Sequence, residues 1–91
     1  MPLKPNQPTA ADLAGLCLDH LAQDPEQLAG FMGVSGLTPD GLRRGIGTAG
    51  FQRGLIDYFA QNEPLLMALC AANNMAPESF MRVWAKLNPA G

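Results

Sequence analysis

The sequence has few of the residues that carry chemistry. Among its 91 residues there are one histidine and two cysteines, and charged residues make up only 15% of the chain. No His-x3-His or Cys-x2-Cys spacing occurs, so the ligand patterns of zinc sites are missing. The glycine-rich segment 45–50 lacks the Gly-Lys-Ser/Thr ending of a phosphate-binding loop. With no nucleophile–base set visible either, we predict a protein that is not an enzyme and binds no metal or cofactor.

Long apolar runs and excess positive charge are also missing. No run approaches the ~20 apolar residues of a membrane-spanning helix, and residues 1–8 lack the apolar stretch of a secretory signal. Six Lys and Arg residues against eight Asp and Glu residues give a net charge of −2, which argues against nucleic acid as a partner. These absences predict a soluble, cytoplasmic protein with neither membrane nor metal as a partner.

The few reactive side chains fit structural roles. Cys17 and Cys70 each lie in an apolar helical stretch, and free cysteine is among the most buried residue types. We therefore predict two small core residues and no disulfide. His20 lies on the apolar face of the first predicted helix, which favours a half-buried packing residue over a catalytic one.

Capping residues and prolines mark six helix starts. Asp24-Pro25-Glu26 and Thr38-Pro39-Asp40 each combine a cap, a proline and an acid in the order typical of a helix start. Apolar residues make up 47% of the chain and recur at helical spacing. No stretch alternates with a period of two over the length of a strand. The chain is therefore predicted to be all-α, a compact six-helix bundle.

The second half of the sequence repeats the first at an offset of 38 residues. Seven identities need no gap: Ala11/Ala49, Asp19/Asp57, Ala22/Ala60, Gln23/Gln61, Leu28/Leu66, Pro39/Pro77 and Arg44/Arg82. We interpret the bundle as two tandem three-helix repeats, residues 9–46 and 47–87, that share one core. Residues 9–87 would form a single domain between a flexible leader (residues 1–8) and a tail (residues 88–91). Either the glycine-rich first half is the looser one, or some of its glycines permit close contact between helices.

The last two predicted helices have apolar surface beyond a narrow stripe. Leu65 and Met67 on the fifth helix and Met81 and Trp84 on the sixth contribute to it. Either these helices form the centre of the bundle, or part of their surface meets a partner. The second interpretation leads to our first functional hypothesis, a non-enzymatic protein–protein interaction module that binds an unknown partner or associates with itself.

The alternative hypothesis is a degenerate helix-turn-helix that binds nucleic acid. Residues 27–36 resemble the first helix and turn of that motif, and Arg43 and Arg44 would follow on the recognition helix, with Arg53 nearby in sequence. Pro39 interrupts the position where the second helix should already be running. The acidic charge of the chain also opposes binding to phosphate.

Asp19 and Asp57 are equivalent under the 38-residue offset. They could be imagined as a catalytic carboxylate pair, but their positions favour solvated helix faces. Arg53, four residues before Asp57, can form an ion pair with it on the same helix.

The pattern of caps and apolar residues resembles a known family. Its first part reads Asp24-Pro25-Glu26, Leu28, Phe31, Gly36-Leu37-Thr38-Pro39-Asp40 and Leu42-Arg43, and its second part includes Phe51, Leu55-Ile56-Asp57-Tyr58-Phe59, Glu63, Leu65-Leu66 and Leu69-Cys70-Ala71. It is similar to small alphaproteobacterial proteins classed as a domain of unknown function, over about residues 9–87. The resemblance implies a compact helical protein of the bacterial cytoplasm, and no activity, ligand or catalytic residue.

Overall fold

Residues 9–89 are described by a computed structural model. They form six α-helices: α1 Ala10–Ala22, α2 Pro25–Ser35, α3 Pro39–Gly45, α4 Ala49–Ala60, α5 Glu63–Ala72 and α6 Pro77–Leu87. No strand occurs in this part of the chain, so the predicted all-α class and the six helices are confirmed. The predicted leader, residues 1–8, and residues 90–91 of the predicted tail lie outside the described residues.

Side chains cap five of the six helices at their N-termini. The capping oxygens of Thr9, Asp24, Thr38, Thr48 and Asn62 accept hydrogen bonds from backbone N–H groups of the first turn. These bonds satisfy donors that have no partner within the helix. Helix α6 has no such bond: its cap position is Ala76, and the N–H group of Ser79 donates to the backbone oxygen of Ala76 instead. The local sequence thus specifies where each helix begins.

Two residues with a left-handed backbone end helices. Gly36 has a φ of 74° after α2, and Asn74 has a φ of 53° after α5. Glycine and asparagine tolerate this conformation best. Asn74 therefore does after α5 what Gly36 does after α2.

The core lies around α1 and α4, which pack against each other and against their neighbours in the chain. Among residues 9–89, fourteen apolar side chains are buried: Leu13, Ala14, Cys17, Leu21, Phe31, Leu55, Ile56, Phe59, Leu65, Leu66, Leu69, Cys70, Phe80 and Val83. Only five of them precede residue 47. Helix α3 has no buried residue, whereas α6 buries Phe80 and Val83. The first half therefore contributes the smaller share of the core.

Among residues 9–89, none of the helices has the length and apolar content needed to cross a bilayer.

Candidate functional site

The indole of Trp84 on α6 is joined to the carboxylate of Asp57 on α4. Trp84 Nε1 donates to Asp57 Oδ1 at 2.9 Å, and Gln61 Nε2 donates to Asp57 Oδ2 at 2.8 Å. Over residues 9–89 the bond between Trp84 and Asp57 is the one side-chain hydrogen bond that joins two different helices. A half-buried indole N–H needs an acceptor, and Asp57 supplies it.

This arrangement corrects two sequence-based expectations about Asp57. The predicted ion pair with Arg53 is wrong, because the Asp57 carboxylate accepts from Trp84 and Gln61 while Arg53 is exposed. Asp57 is also half-buried rather than on a fully solvated face. The sequence feature that could have indicated the role of Asp57 was the single tryptophan of the chain, because a partly buried indole N–H needs a hydrogen-bond acceptor.

The four residues predicted as a partner surface do not lie together on an exposed face. Leu65 is only 6% exposed and belongs to the core. Met81 and Trp84 are half-buried and pack against that core. Met67 remains, at 48% exposed. Most of the additional apolar surface of α5 and α6 is therefore buried or half-buried within the bundle.

Two large apolar side chains of the first half are exposed instead. Val34, near the end of α2, is 77% exposed, and Ile46, just after α3, is 46% exposed. Sequence reasoning missed both. For Ile46, the sequence feature that could have indicated this exposure was its match to Trp84 at the 38-residue offset. Isoleucine is smaller than tryptophan and covers less of the neighbouring helix surface.

Ile46 forms one wall of a cleft of about 210 Å³, which we call the α1–α3 cleft. Its lining consists of Ala11, Ala14, Gly15, Leu18, Asp19, Ile46 and Phe51. The α1 residues follow the spacing of one helix face. Asp19 supplies the one charged side chain of the lining, at the edge of otherwise apolar walls. Such a cleft suits an apolar group that carries a hydrogen-bond donor.

His20 lines two other crevices, one of which also includes Asp19. One, of about 250 Å³, is lined by Leu16, Asp19, His20, Gln23, Ala72 and Asn73; the other, of about 270 Å³, includes His20, Asp24, Gln27 and Asn62. The imidazole is half-buried and packs edge-to-face on Phe59, with ring centroids 6.1 Å apart at 74°. Its predicted role as a half-buried packing residue is confirmed.

The two cysteines are free and buried, which confirms their predicted place in the core. Burial raises the pKa of the Cys17 thiol from 9.0 to about 12, and Cys70 adds to the shift. Burial also raises the pKa of Cys70, with a further contribution from Glu78. Neutral thiols of this kind are poor nucleophiles.

The raised thiol pKa values make stability fall at alkaline pH. The unfolded chain releases the Cys17 proton near pH 9, whereas the folded chain holds it up to about pH 12. The unfolded state therefore binds fewer protons between these values, and the free energy of unfolding decreases as the pH rises through this window. Urea unfolding at pH 8, 9.5 and 11 should show a smaller decrease for Cys17→Ala than for the unsubstituted chain. Equal decreases in the two proteins would contradict this account.

The arginines of the nucleic-acid hypothesis lie on two different helices, Arg43 and Arg44 on α3 and Arg53 on α4. Arg43, Arg44 and Arg53 are all exposed. Arg43 forms an ion pair with Asp40 at 3.2 Å on the same helix. Helix α3 has seven residues and buries none of them. Nothing in this geometry favours the alternative hypothesis.

Within residues 9–89, His, Cys, Asp and Glu side chains do not gather in groups of three that could hold a metal ion.

The family model described as "Protein of unknown function (DUF3572)" matches residues 7–90. The chain therefore belongs to this family of unknown function, as the resemblance of its caps and apolar residues implied. No curated protein and no solved structure matches the chain. The bacterial source that the resemblance implied stays a prediction.

Proposed function

We propose that this domain is a non-enzymatic protein-interaction module of the cytoplasm, and that its binding face is the α1–α3 cleft. The observation that carries the proposal is Ile46, a large apolar side chain left 46% exposed at the wall of a cleft. Covering the rest of this side chain would contribute about 1 kcal/mol to binding.

The make-up of the cleft supports a protein partner over a polar metabolite. Six of its seven lining residues are alanine, glycine, leucine, isoleucine or phenylalanine, and Asp19 is the seventh. Apolar walls with one acceptor at the edge resemble the pockets that receive anchor side chains in protein interfaces. A cleft of this size receives one such side chain, and the remaining interface would spread over the surface around it.

We also propose that the fold arose from two copies of a three-helix unit. The helix bounds support it: α1 ends at Ala22 and α4 at Ala60, and α3 begins at Pro39 and α6 at Pro77, each pair 38 residues apart. The halves differ most in the last helix of each unit. Helix α6 is fixed by Trp84 and two buried residues, while α3 has no buried residue. The α1–α3 cleft lies at the C-terminal end of α3, the one of these two helices that has no buried residue.

Site-specific photo-crosslinking in the native cell tests the proposed binding face. A photoreactive amino acid at position 46 should capture one protein species, because it stands at the cleft wall. The same group at position 86 is the control, since Lys86 is exposed on α6 and lines none of the clefts described. A second experiment places the photoreactive group at position 15, which also lines the cleft. Adding Ile46→Asp to that protein should abolish the capture of the partner from position 15 while leaving the circular dichroism spectrum unchanged.

Equal capture at positions 46 and 86, or none at 46, would contradict the proposed face. Light scattering on the purified chain separates the two kinds of partner. A monomer that crosslinks to a second protein supports a heterologous partner, and a dimer that crosslinks to itself shows self-association.

A further inference from the structure

We infer that the α1–α3 cleft receives a tryptophan side chain of a partner protein, whose ring N–H donates to the carboxylate of Asp19. The inference rests on the proposed function and names the anchor that this binding face takes.

In the second half of the chain, the aspartate at the matching sequence position is already bonded to an indole of the same chain. Asp57 matches Asp19 and Trp84 matches Ile46 at the 38-residue offset. In the second half the indole Nε1 of Trp84 lies 2.9 Å from Asp57 Oδ1. In the first half Ile46 has no N–H group to donate, and Asp19 is exposed at the edge of the cleft. The acceptor is in place, and its matching donor is missing.

Small residues on α1 leave room for a ring. Ala14 and Gly15 line the cleft, whereas the matching positions of α4 hold Gln52 and Arg53. A Cβ atom added at Gly15 would meet nothing within 4 Å. The cleft volume of about 210 Å³ is therefore open along this face of α1.

The lining selects an indole over other side chains. The walls are apolar except for Asp19, which favours a flat apolar body with a single donor. Tryptophan combines these properties, because its indole N–H donates and accepts nothing. Lysine and arginine would satisfy the carboxylate but would leave the apolar walls poorly covered.

The partner is a different polypeptide rather than a second copy of this chain. The sequence contains one tryptophan, and that residue is already bonded to Asp57 within the fold. A second copy could offer its indole only by breaking this bond.

The first test uses N-acetyl-tryptophanamide as the probe, followed by NMR of the full chain. We expect a Kd on the order of 1 mM, with shifts concentrated at Gly15, Asp19 and Ile46. The N1-methyl analogue, which lacks the ring N–H, should bind about three- to tenfold more weakly, as should the variant Asp19→Asn. Asp12→Asn is the matched control, because it removes a carboxylate from the same helix outside the cleft and should leave the Kd unchanged.

The second test places the indole in the cleft from within the chain. Ile46→Trp should abolish binding of N-acetyl-tryptophanamide and raise the midpoint of urea unfolding, and Asp19→Asn should cancel that increase. Equal binding of the probe and its N1-methyl analogue would overturn the inference, as would shifts outside the cleft or no binding at 10-fold the expected Kd.

These outcomes are distinguishable from failure of the proposed function. If crosslinking at position 46 captures a partner but the probe does not bind at the cleft, the tryptophan anchor is wrong and the interaction module stands. If the probe binds as expected and position 46 captures nothing in the native cell, the cleft accepts an indole but the proposed function fails.

Discussion

Replacing Phe59 by alanine should lower the free energy of unfolding by about 3–5 kcal/mol. The side chain is 0% exposed and meets the rings of His20, Tyr58 and Phe80 at centroid distances of 6.1, 6.2 and 6.5 Å. Its removal leaves a cavity where α4 meets both α1 and α6. Because domains of this size have a total stability of roughly 5–13 kcal/mol, this loss is a large fraction of it and should clearly lower the midpoint of urea unfolding.

Urea unfolding followed by circular dichroism measures this loss, with Val34→Ala as the control. Val34 is 77% exposed, so its truncation should change the free energy of unfolding by no more than about 0.5 kcal/mol. Similar losses in the two variants would show that the core is not where the structure places it.

Removing the hydrogen bond between Trp84 and Asp57 should cost about 1–3 kcal/mol of stability. Trp84→Phe keeps an aromatic ring and loses the donor, whereas Asp57→Ala keeps the donor and loses the acceptor. If the two side chains act through their 2.9 Å bond, the double variant should be less destabilised than the sum of the single variants. The expected coupling is about 1–2 kcal/mol.

Asp19→Ala is the matched control for this cycle. Asp19 occupies the equivalent position in the sequence and accepts no side-chain hydrogen bond from another helix within residues 9–89. Its removal should change stability by less than about 0.5 kcal/mol. Strictly additive losses at Trp84 and Asp57 would contradict the hydrogen bond as a stabilising contact.

The helix starts could be predicted from sequence because the interactions that define them are local. Thr9, Asp24 and Thr38 cap N–H groups two or three residues away, and Pro39 and Pro77 begin helices in fixed conformations. The prediction that Cys17 and Cys70 are core residues rested on the same kind of local pattern. Each of these features depends on a short window of residues, so a single sequence contains them.

The candidate site could not be predicted, because it depends on which helix covers which. Trp84 lies 27 residues from Asp57, and helical periodicity does not say which acceptor a distant indole will meet. The same pattern offered Arg53 as a partner for Asp57 only because it lies four residues away. Leu65 shows the related error, because it was predicted as part of a possible partner surface and is buried. Ile46 is apolar as well, and only the packing decides that it is exposed while Leu65 is buried.

The position of the single tryptophan determines what intrinsic fluorescence can report. Trp84 is anchored on α6 against α4, so its emission follows the environment of the second half of the chain. Loss of α2 or α3 alone would change the helical signal in circular dichroism while leaving the indole hydrogen-bonded. Comparing the unfolding curve from tryptophan fluorescence with the one from circular dichroism therefore measures whether residues 25–45 unfold before the rest of the molecule.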